Sequence, residues 1–420
     1  MNSTSSPTIS NPVYVWIWLP GATEPIPCGV LTPNGNGLAF TYGRKYLANP
    51  NRISIYTPEL PLSLETFAPT ALEMPSAIRD AAPDAWGQHV ILAELTGAMG
   101  RDADVTDLDP ATYLLTSGSN RIGALDFQKS PTKYVPRVDP ASLIDLETAS
   151  QQVLAGKPPK AQLAGALLHG TSIGGARPKA LFSENGVEKI AKFSVSSDHY
   201  PVVKAEAAAI YLARQTGIEV TDAELRTVGG RDVLVMDRFD RGGDGSRRLI
   251  ISGLTMLGLS EMGSRHGTYL QLQQVLGQFS DGSYDVGRAL FDRIAFNIII
   301  ANTDDHLRNH AAFWDGTYLH LTPAYDLSPT IRRGETATQV LAYGPHGQRK
   351  SNLAELVEAS NAYSIPKPEA KDRVLNMLDT VEEHWSDAAD FAQMAAQDRQ
   401  MLWRTAFSHP AASWGLTNVV

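Results

Sequence analysis

The chain has 420 residues, 43% of them apolar and 19% charged, with a formal net charge of −9 and one cysteine, Cys28. Such a length and apolar share suit two or more domains with real cores and exclude a disordered chain. The acidic balance argues against autonomous nucleic-acid binding, and a lone cysteine excludes an intramolecular disulfide and a cysteine-rich zinc site, which points to a reducing compartment.

In chain order, residues 1–12, "MNSTSSPTISNP", read as a disordered tail. It has no basic residue, and the "VYVWIWL" behind it is short and ends at Pro20, so it does not read as a signal peptide. No uncharged apolar run approaches the roughly twenty residues of a membrane helix, and a soluble cytoplasmic protein is expected. From Val13 to about Pro61 the pattern is β: "VYVWIW" and "RISIYTPEL" are rich in β-branched and aromatic residues, with turn chemistry in "TPNGNG" between them. Residues 77–97 turn helical behind the Asp-led start "PDAWGQHVI". "DPATYLLTSGSNRIGALDF" then passes from helix through a turn to a strand, and the three prolines of 129–140 mark a boundary.

Residues 143–168 are helical or mobile, interrupted by "GKPPK". "HGTSIGGARPKALFSENGVEKIAKFSV" reads as strand, glycine-rich turn, strand, "ENG" hairpin and strand. "VVKAEAAAIYLARQTGI" is a strong helix, alanine-rich, with Arg214 near its end and Gly217 just past it. "RDVLVMDRF" is another strand. After Asp240 strand signals are sparse, and 254–301, 351–361 and 368–408 have mostly helical periodicity. The chain shows no internal repeat and no low-complexity segment.

Four polar constellations stand out. In "NTDDHLRNH", 302–310, Asp304 and Asn309 lie five positions apart, the spacing of the base and the magnesium-binding asparagine in a protein-kinase catalytic loop. Asp305 to Asn309 is four, so spacing favours Asp304 as the base; caps after a buried helix are the competing explanation. "LTPAYDLSP" offers Asp326 as the second metal carboxylate, after an expected hairpin through Asp315-Gly316, or as a turn cap. "TSIGGARPK", 171–179, is neither a Walker A loop nor a dinucleotide fingerprint, but its glycines let backbone N–H groups approach phosphate. Lys192 in the following apolar strand would be costly unpaired, and Glu206 in the next helix is placed to meet it, though a solvated lysine on an amphipathic strand is also open. "MDRFDR", 236–241, lies where a two-lobed kinase has its adenine-binding hinge, or is plain surface charge around Phe239.

Taken together, "TSIGGARPKALF", "KIAKF", "MDRFDR", "NTDDHLRN" and "PAYDLSP" resemble the HipA family of serine/threonine kinases, the toxins of bacterial HipBA-type toxin–antitoxin modules. "YVWIWLPG" and "PDAWGQHVI" resemble that family's leading subdomain, and the likeness covers most of 13–400. It implies an α+β, bilobal protein-kinase-like fold. Residues 13–128 would form the N-terminal subdomain, 129–240 the ATP-binding part of a β-rich N-lobe, and 241–420 an all-helical C-lobe. It further implies that Gly174, Gly175, Ala176, Arg177, Pro178 and Lys179 form the phosphate-binding loop and that Lys192 contacts ATP phosphates. Asp237, Arg238 and Phe239 would be the hinge, and Asp304 the base. His306, Leu307, Arg308 and Asn309 would line the nucleotide, with Asn309 on Mg2+. Tyr325 and Asp326 would complete the site, Asp326 as the second metal ligand. Ser172 matches the serine whose autophosphorylation silences family members, because a dianionic phosphate there should expel ATP.

The resemblance also implies ATP and Mg2+ as cofactors and a protein serine or threonine as substrate, an aminoacyl-tRNA synthetase in studied members. A HipB-like helix-turn-helix antitoxin would be the partner, with operator DNA reached through that complex. The chain departs from the family pattern at Arg177-Pro178, where glutamine and glutamate are familiar, at Asp237, where glutamate is, and at Asp305, where a small residue is common. Asp305 and His310 are expected to face solvent or support the loop. Two rivals are a metal-dependent hydrolase using Asp304, Asp305, His306 and His310, and a pseudokinase acting only through the antitoxin and DNA.

Overall fold

Among the described residues, strand-forming apolar runs close three antiparallel sheets, two of them before Asp240 and one after it. The computed structural model describes residues 12–97, 104–138, 142–155, 157 and 178–419. The first sheet holds β1 (Val13–Ile17), β2 (Ile26–Asn34), β3 (Gly37–Tyr42), β4 (Thr66–Phe67) and β5 (Leu125–Gln128), in the order β4-β3-β2-β1-β5. Asn34 pairs with Gly37, so the "NGNG" turn is a two-residue hairpin, with Gly35 at a φ of 59°.

"RISIYTPEL" is not a strand here, contrary to its composition. Tyr46 Oη donates to the Ile53 carbonyl at 2.7 Å, Ile55 N–H donates to Tyr42 Oη at 2.9 Å, and Tyr42 Oη donates to the Leu60 carbonyl at 2.8 Å. Phenols thus satisfy the backbone that a neighbouring strand would otherwise have to pair, while Ile55 and Tyr56 stay buried in the core.

The second sheet holds β6 (Lys179–Glu184), β7 (Val187–Phe193), β8 (Ala223–Val228) and β9 (Arg231–Asp237), ordered β6-β7-β9-β8. The "ENG" turn is a tight hairpin in which Asn185 and Gly186 both take positive φ, at 52° and 79°. The alanine-rich helix Val202–Gln215 packs on this sheet with ten buried residues, Glu206 among them.

The C-terminal half is mainly helical, but the all-helical expectation needs one amendment. β10 (Leu249–Ser252), β11 (Ala311–Trp314) and β12 (Leu319–Leu321) form a three-stranded sheet. The β11–β12 turn runs through Asp315-Gly316 as expected, with Asp315 Oδ1 accepting from the N–H groups of Thr317 at 2.8 Å and Tyr318 at 2.7 Å. β10 reads in sequence only as a brief apolar run, too short to separate from helix.

This sheet leans on the N-terminal subdomain. Trp314 Nε1 donates to the Ser54 carbonyl at 2.9 Å, and Asp80 accepts from Ser252 N and Oγ at 2.8 and 2.7 Å. A large apolar cluster runs from Val13 to Val419 through both halves, while Ala180, Ala191, Phe193, Val233 and Val235 of the second sheet form a separate one with Leu146. Among the described residues, no helix is long and apolar enough to cross a membrane.

Candidate active site

The β6–β7 register sets Lys179 directly opposite Lys192, and both ammonium groups are buried. Bare burial would drive such groups neutral. Lys192 Nζ instead contacts the Glu206 carboxylate and donates to Asp326 Oδ1 at 2.7 Å. Burial pulls the Lys192 ammonium down, but Asp326 and Glu206 outweigh it and hold the group above its ordinary value. Burial likewise pushes Asp326 up, and Lys192 and Lys179 overcome that, keeping its carboxyl below the usual carboxylate range. Glu206 is raised, by burial first, against the pull of Lys192. Lys179 is lowered, again by burial first, with Asp326 opposing. Two cations and two anions thus share one cluster whose outer member, Asp326, is about 35% exposed.

The opposite wall begins where the helix Val286–Ile299 ends. Its inner face is Leu290, Phe291, Ile294, Ile298 and Ile299, so the helix end is fixed in the core. Ala301 then takes a φ of 48°, and Asn302 folds back, its N–H and Nδ2 donating to Asn297 at 2.8 and 3.0 Å. Thr330 Oγ1 donates to the Ala301 carbonyl at 2.5 Å, tying the segment after Asp326 to this exit.

The two aspartates that follow have opposite environments. Asp304 is exposed, and among the described residues it makes no side-chain hydrogen bond or ion pair. Asp305 is 3% exposed, accepts from the Tyr269 hydroxyl, and lies 2.8 Å from His310 Nε2. Of the two alternatives for Asp305 and His310, facing solvent is therefore corrected, which leaves support of the loop. Both are buried, and Tyr269 stands edge-on to the His310 ring at 5.3 Å. Tyr269 lies 36 positions before Asp305, and nothing local in the sequence links them.

Of the four residues expected to line the nucleotide, His306 is half-buried near Asp326. Leu307 is a core residue: a Cβ at Gly267 would come within 2.5 Å of its Cδ1. The Arg308 guanidinium is turned to Glu261, its Nε donating to Oε1 at 2.6 Å. Asn309 is 6% exposed, yet its side-chain amide has no hydrogen-bond partner among the described residues. The expected side-chain contacts of Leu307 and Arg308 are thus replaced by packing and an ion pair.

Asp326 reaches the cluster through a backbone φ of 58°, in the left-handed region unusual for a residue with a side chain. Tyr325 Oη donates to the Arg308 carbonyl at 2.6 Å, which clamps the Asp326 segment beside Asn309. Burial pushes the Tyr325 phenol well above its ordinary value, so it stays a donor.

At the expected hinge, Asp237 N–H donates to the Asp222 carbonyl at 2.9 Å, and Arg238 N–H donates to the Glu188 carbonyl at 3.0 Å. The Arg238 guanidinium is buried against Asp240 at 2.7 Å, Asn120 Oδ1 at 2.7 Å and the Arg121 carbonyl at 2.6 Å. It therefore ties the N-terminal subdomain to the hinge rather than facing the cleft. Phe239 packs on Tyr325 and Phe313, and its own N–H and C=O have no partner among the described residues.

Ser172, Gly174, Gly175, Ala176 and Arg177 lie outside the described residues. Pro178 and Lys179 lie within them, and the Pro178 carbonyl accepts from Phe193 N–H at 3.1 Å. Asn309 and Asp326 supply hard oxygens, a fit for Mg2+, which keeps water and phosphate oxygens as its other ligands. Asp305 and His310 are bonded to each other rather than gathered with Asp304 and His306. Among the described residues no group of three or more His, Cys, Asp or Glu side chains is arranged to hold a metal ion, which leaves the hydrolase reading without its ligand set.

Comparison with known proteins adds a family context. The HipA-like C-terminal domain matches residues 171–385, and the HipA N-terminal domain matches residues 19–128. HipA of Shewanella oneidensis MR-1, solved in complex with HipB and its operator DNA, is similar over 93% of this chain and 95% of its own, with a TM-score of 0.64 and 18% identity. That likeness shows the fold: the bilobal, kinase-like fold expected from the sequence. CtkA of Helicobacter pylori, described as a proinflammatory kinase, matches 59% of this chain and 94% of its own at a TM-score of 0.43 and 12% identity, too distant to carry an argument. Y4mE of Sinorhizobium fredii, provisionally named a kinase, is 24% identical over 193 residues. That match spans 42% of this chain and only 45% of the relative's length.

Proposed function

Because the chain belongs to the HipA family, we propose that it is an ATP- and Mg2+-dependent serine/threonine protein kinase of the toxin type. The observation that carries this reading is the pairing of Lys192 with both Glu206 and Asp326, the latter in a segment that Tyr325 ties to the loop carrying Asp304, an exposed carboxylate without a hydrogen bond or ion pair among the described residues. On this reading residues 129–240 carry the phosphate-binding loop and hinge, and 241–420 carry the catalytic loop. Residues 13–128 form the leading subdomain.

Lys192, oriented by Glu206, holds ATP phosphates, and the unpartnered N–H and C=O of Phe239 receive adenine. Asn309 and Asp326 would hold Mg2+, which supplies charge neutralisation on the phosphates when bound. Asp304 orients the substrate hydroxyl and takes its proton as the oxygen bonds to the γ-phosphorus and the bond to the bridging oxygen breaks, releasing ADP.

The substrate in this reading is a serine or threonine of a translation component, an aminoacyl-tRNA synthetase first among candidates, so that activity halts growth. Two silencing routes go with it. Autophosphorylation at Ser172 places a dianion where ATP phosphates bind. A HipB-like antitoxin binds the chain and carries it to operator DNA, by analogy with the Shewanella complex. The cytoplasm is the proposed site of action.

The test is incubation with labelled ATP, with and without Mg2+, beside Ser172→Ala. Label on Ser172 in the wild type that needs Mg2+ and disappears in the variant supports the proposal. Tight ATP binding without any transfer to itself or to synthetases would favour the pseudokinase instead.

A further inference from the structure

Between Pro329 and Ser351 the chain carries four cations, Arg332, Arg333, Arg349 and Lys350, against one carboxylate, Glu335, although its net charge is −9. The later part of this segment folds back on itself. Gln339 N–H donates to the Arg349 carbonyl at 2.7 Å, Tyr343 N–H to Gln348 at 2.9 Å, and Ser351 N–H to Ala337 at 2.8 Å. Val340 N–H then fastens it to the Thr303 carbonyl at 3.2 Å, one residue before Asp304.

Arg349 completes the join. Its Nη1 donates to the Val340 carbonyl at 2.8 Å and its Nη2 to the Arg265 carbonyl at 3.3 Å, which brings Arg265 and His266 alongside. Arg265, His266, Arg333 and Lys350 are exposed, and Arg349 is half-buried. Among the described residues none of these five pairs with a carboxylate, whereas Arg308 and Arg404 on either side pair with Glu261 and Glu382. These side chains are held by backbone carbonyls, by each other where Arg265 Nε donates to His266 Nε2 at 3.4 Å, or left to solvent, in a face that begins at the catalytic loop.

We propose that this face docks acidic residues of the protein substrate beside its phosphoacceptor hydroxyl. The proposal rests on the kinase reading and names the substrate's chemistry. In phosphoryl-transfer sites of this kind, the segment after the second metal-binding aspartate borders the acceptor. Guanidinium and ammonium groups left without partners there raise the local concentration of a carboxylate-bearing segment. An acidic peptide suits the face better than nucleic acid. A nucleic-acid backbone brings one charge per ~3.4 Å per strand and needs cations along its whole track, whereas here the neighbouring Arg308 and Arg404 are already paired with Glu261 and Glu382, and Glu335 lies within the segment.

Fluorescence anisotropy would compare three serine-centred peptides flanked by glutamates, alanines or lysines, together with a single-stranded RNA oligonucleotide. The glutamate peptide should bind tightest and weaken as salt rises. The double variant Arg333→Ala/Lys350→Ala should lose about three- to tenfold of that affinity, in keeping with exposed ion pairs, with its melting temperature and its affinity for a fluorescent ATP analogue unchanged. Arg333→Glu/Lys350→Glu should turn the preference toward the lysine peptide. Equal binding of the glutamate and alanine peptides overturns the proposal, as does tighter binding of the RNA that is lost in the same variants. Binding is read without catalysis, so absent phosphate transfer with a retained acidic preference would count against the kinase reading alone.

Discussion

Two buried polar clusters adjoin the candidate site, and they are built to different ends. In the first, Lys192 joins Glu206 and Asp326, with Lys179 close by, and the outer carboxylate opens to the cleft. In the second, Tyr269, Asp305 and His310 close on one another in the core, each no more than 3% exposed. The first keeps charges where a ligand can reach them. The second pairs its members with one another beside Asp304, leaving His310 Nδ1 in the core without a partner among the described residues. Buried charge is costly in either place, but only the open cluster leaves a partly exposed carboxylate that a substrate can reach.

The comparison can be broken at its strongest point by Lys192→Met. That change leaves Glu206 and Asp326 with Lys179 as the one remaining cation of the cluster, and loss of one partner from a buried ion pair costs about 3–5 kcal/mol. Denaturant unfolding should show a loss of that order, and ATP binding should fall with it. If stability holds, the two carboxylates relax apart and the cluster is less tightly coupled than its distances suggest.

Asp305→Asn probes the closed cluster. An amide keeps the shape but gives the Tyr269 hydroxyl a weaker acceptor and changes what faces His310, a loss of about 1–3 kcal/mol. Phosphate transfer should slow through kcat while the KM for ATP stays near the wild-type value, because Lys192 and the hinge are untouched. An unchanged kcat would reduce the triad to packing.

The smallest effect is the response to acid. Asp326 is held below its ordinary range in the folded state, so the unfolded chain binds its proton more readily. Its contribution to stability is complete above the unfolded value of about 4 and is lost as pH falls through the lower, folded value. Unfolding free energies measured downward from pH 5 should therefore fall more steeply in the wild type than in Asp326→Asn. Parallel curves would show that Lys192 gains nothing from that carboxylate.

The open cluster was more legible in the sequence than the closed one. A lysine inside an apolar strand and a glutamate inside an alanine-rich helix each demand a partner, and in the structure they are each other's. Asp304 and Asn309 announce themselves by spacing, and the Asp315-Gly316 and Asn185-Gly186 turns by backbone chemistry. For Asp305 and His310 the sequence left solvent exposure and loop support both open, because their partner, Tyr269, comes from a helix far upstream. Leu307 looked like cleft lining because the small Gly267 that admits it to the core is equally remote. "RISIYTPEL" misled for a related reason: tyrosines from elsewhere satisfy its backbone. Local chemistry was readable wherever the partner was local or the need for one was severe.

The division of labour between the adjacent aspartates is tested most directly by phosphate transfer from labelled ATP in Asp304→Asn, with its melting temperature measured alongside. Asp304 is exposed and makes no side-chain hydrogen bond or ion pair among the described residues, so the variant should melt as the wild type does. Its transfer rate should fall by about 10²–10⁴-fold, the range for loss of a general base. A variant that folds normally and transfers phosphate at the wild-type rate would contradict the assignment of Asp304 as the base.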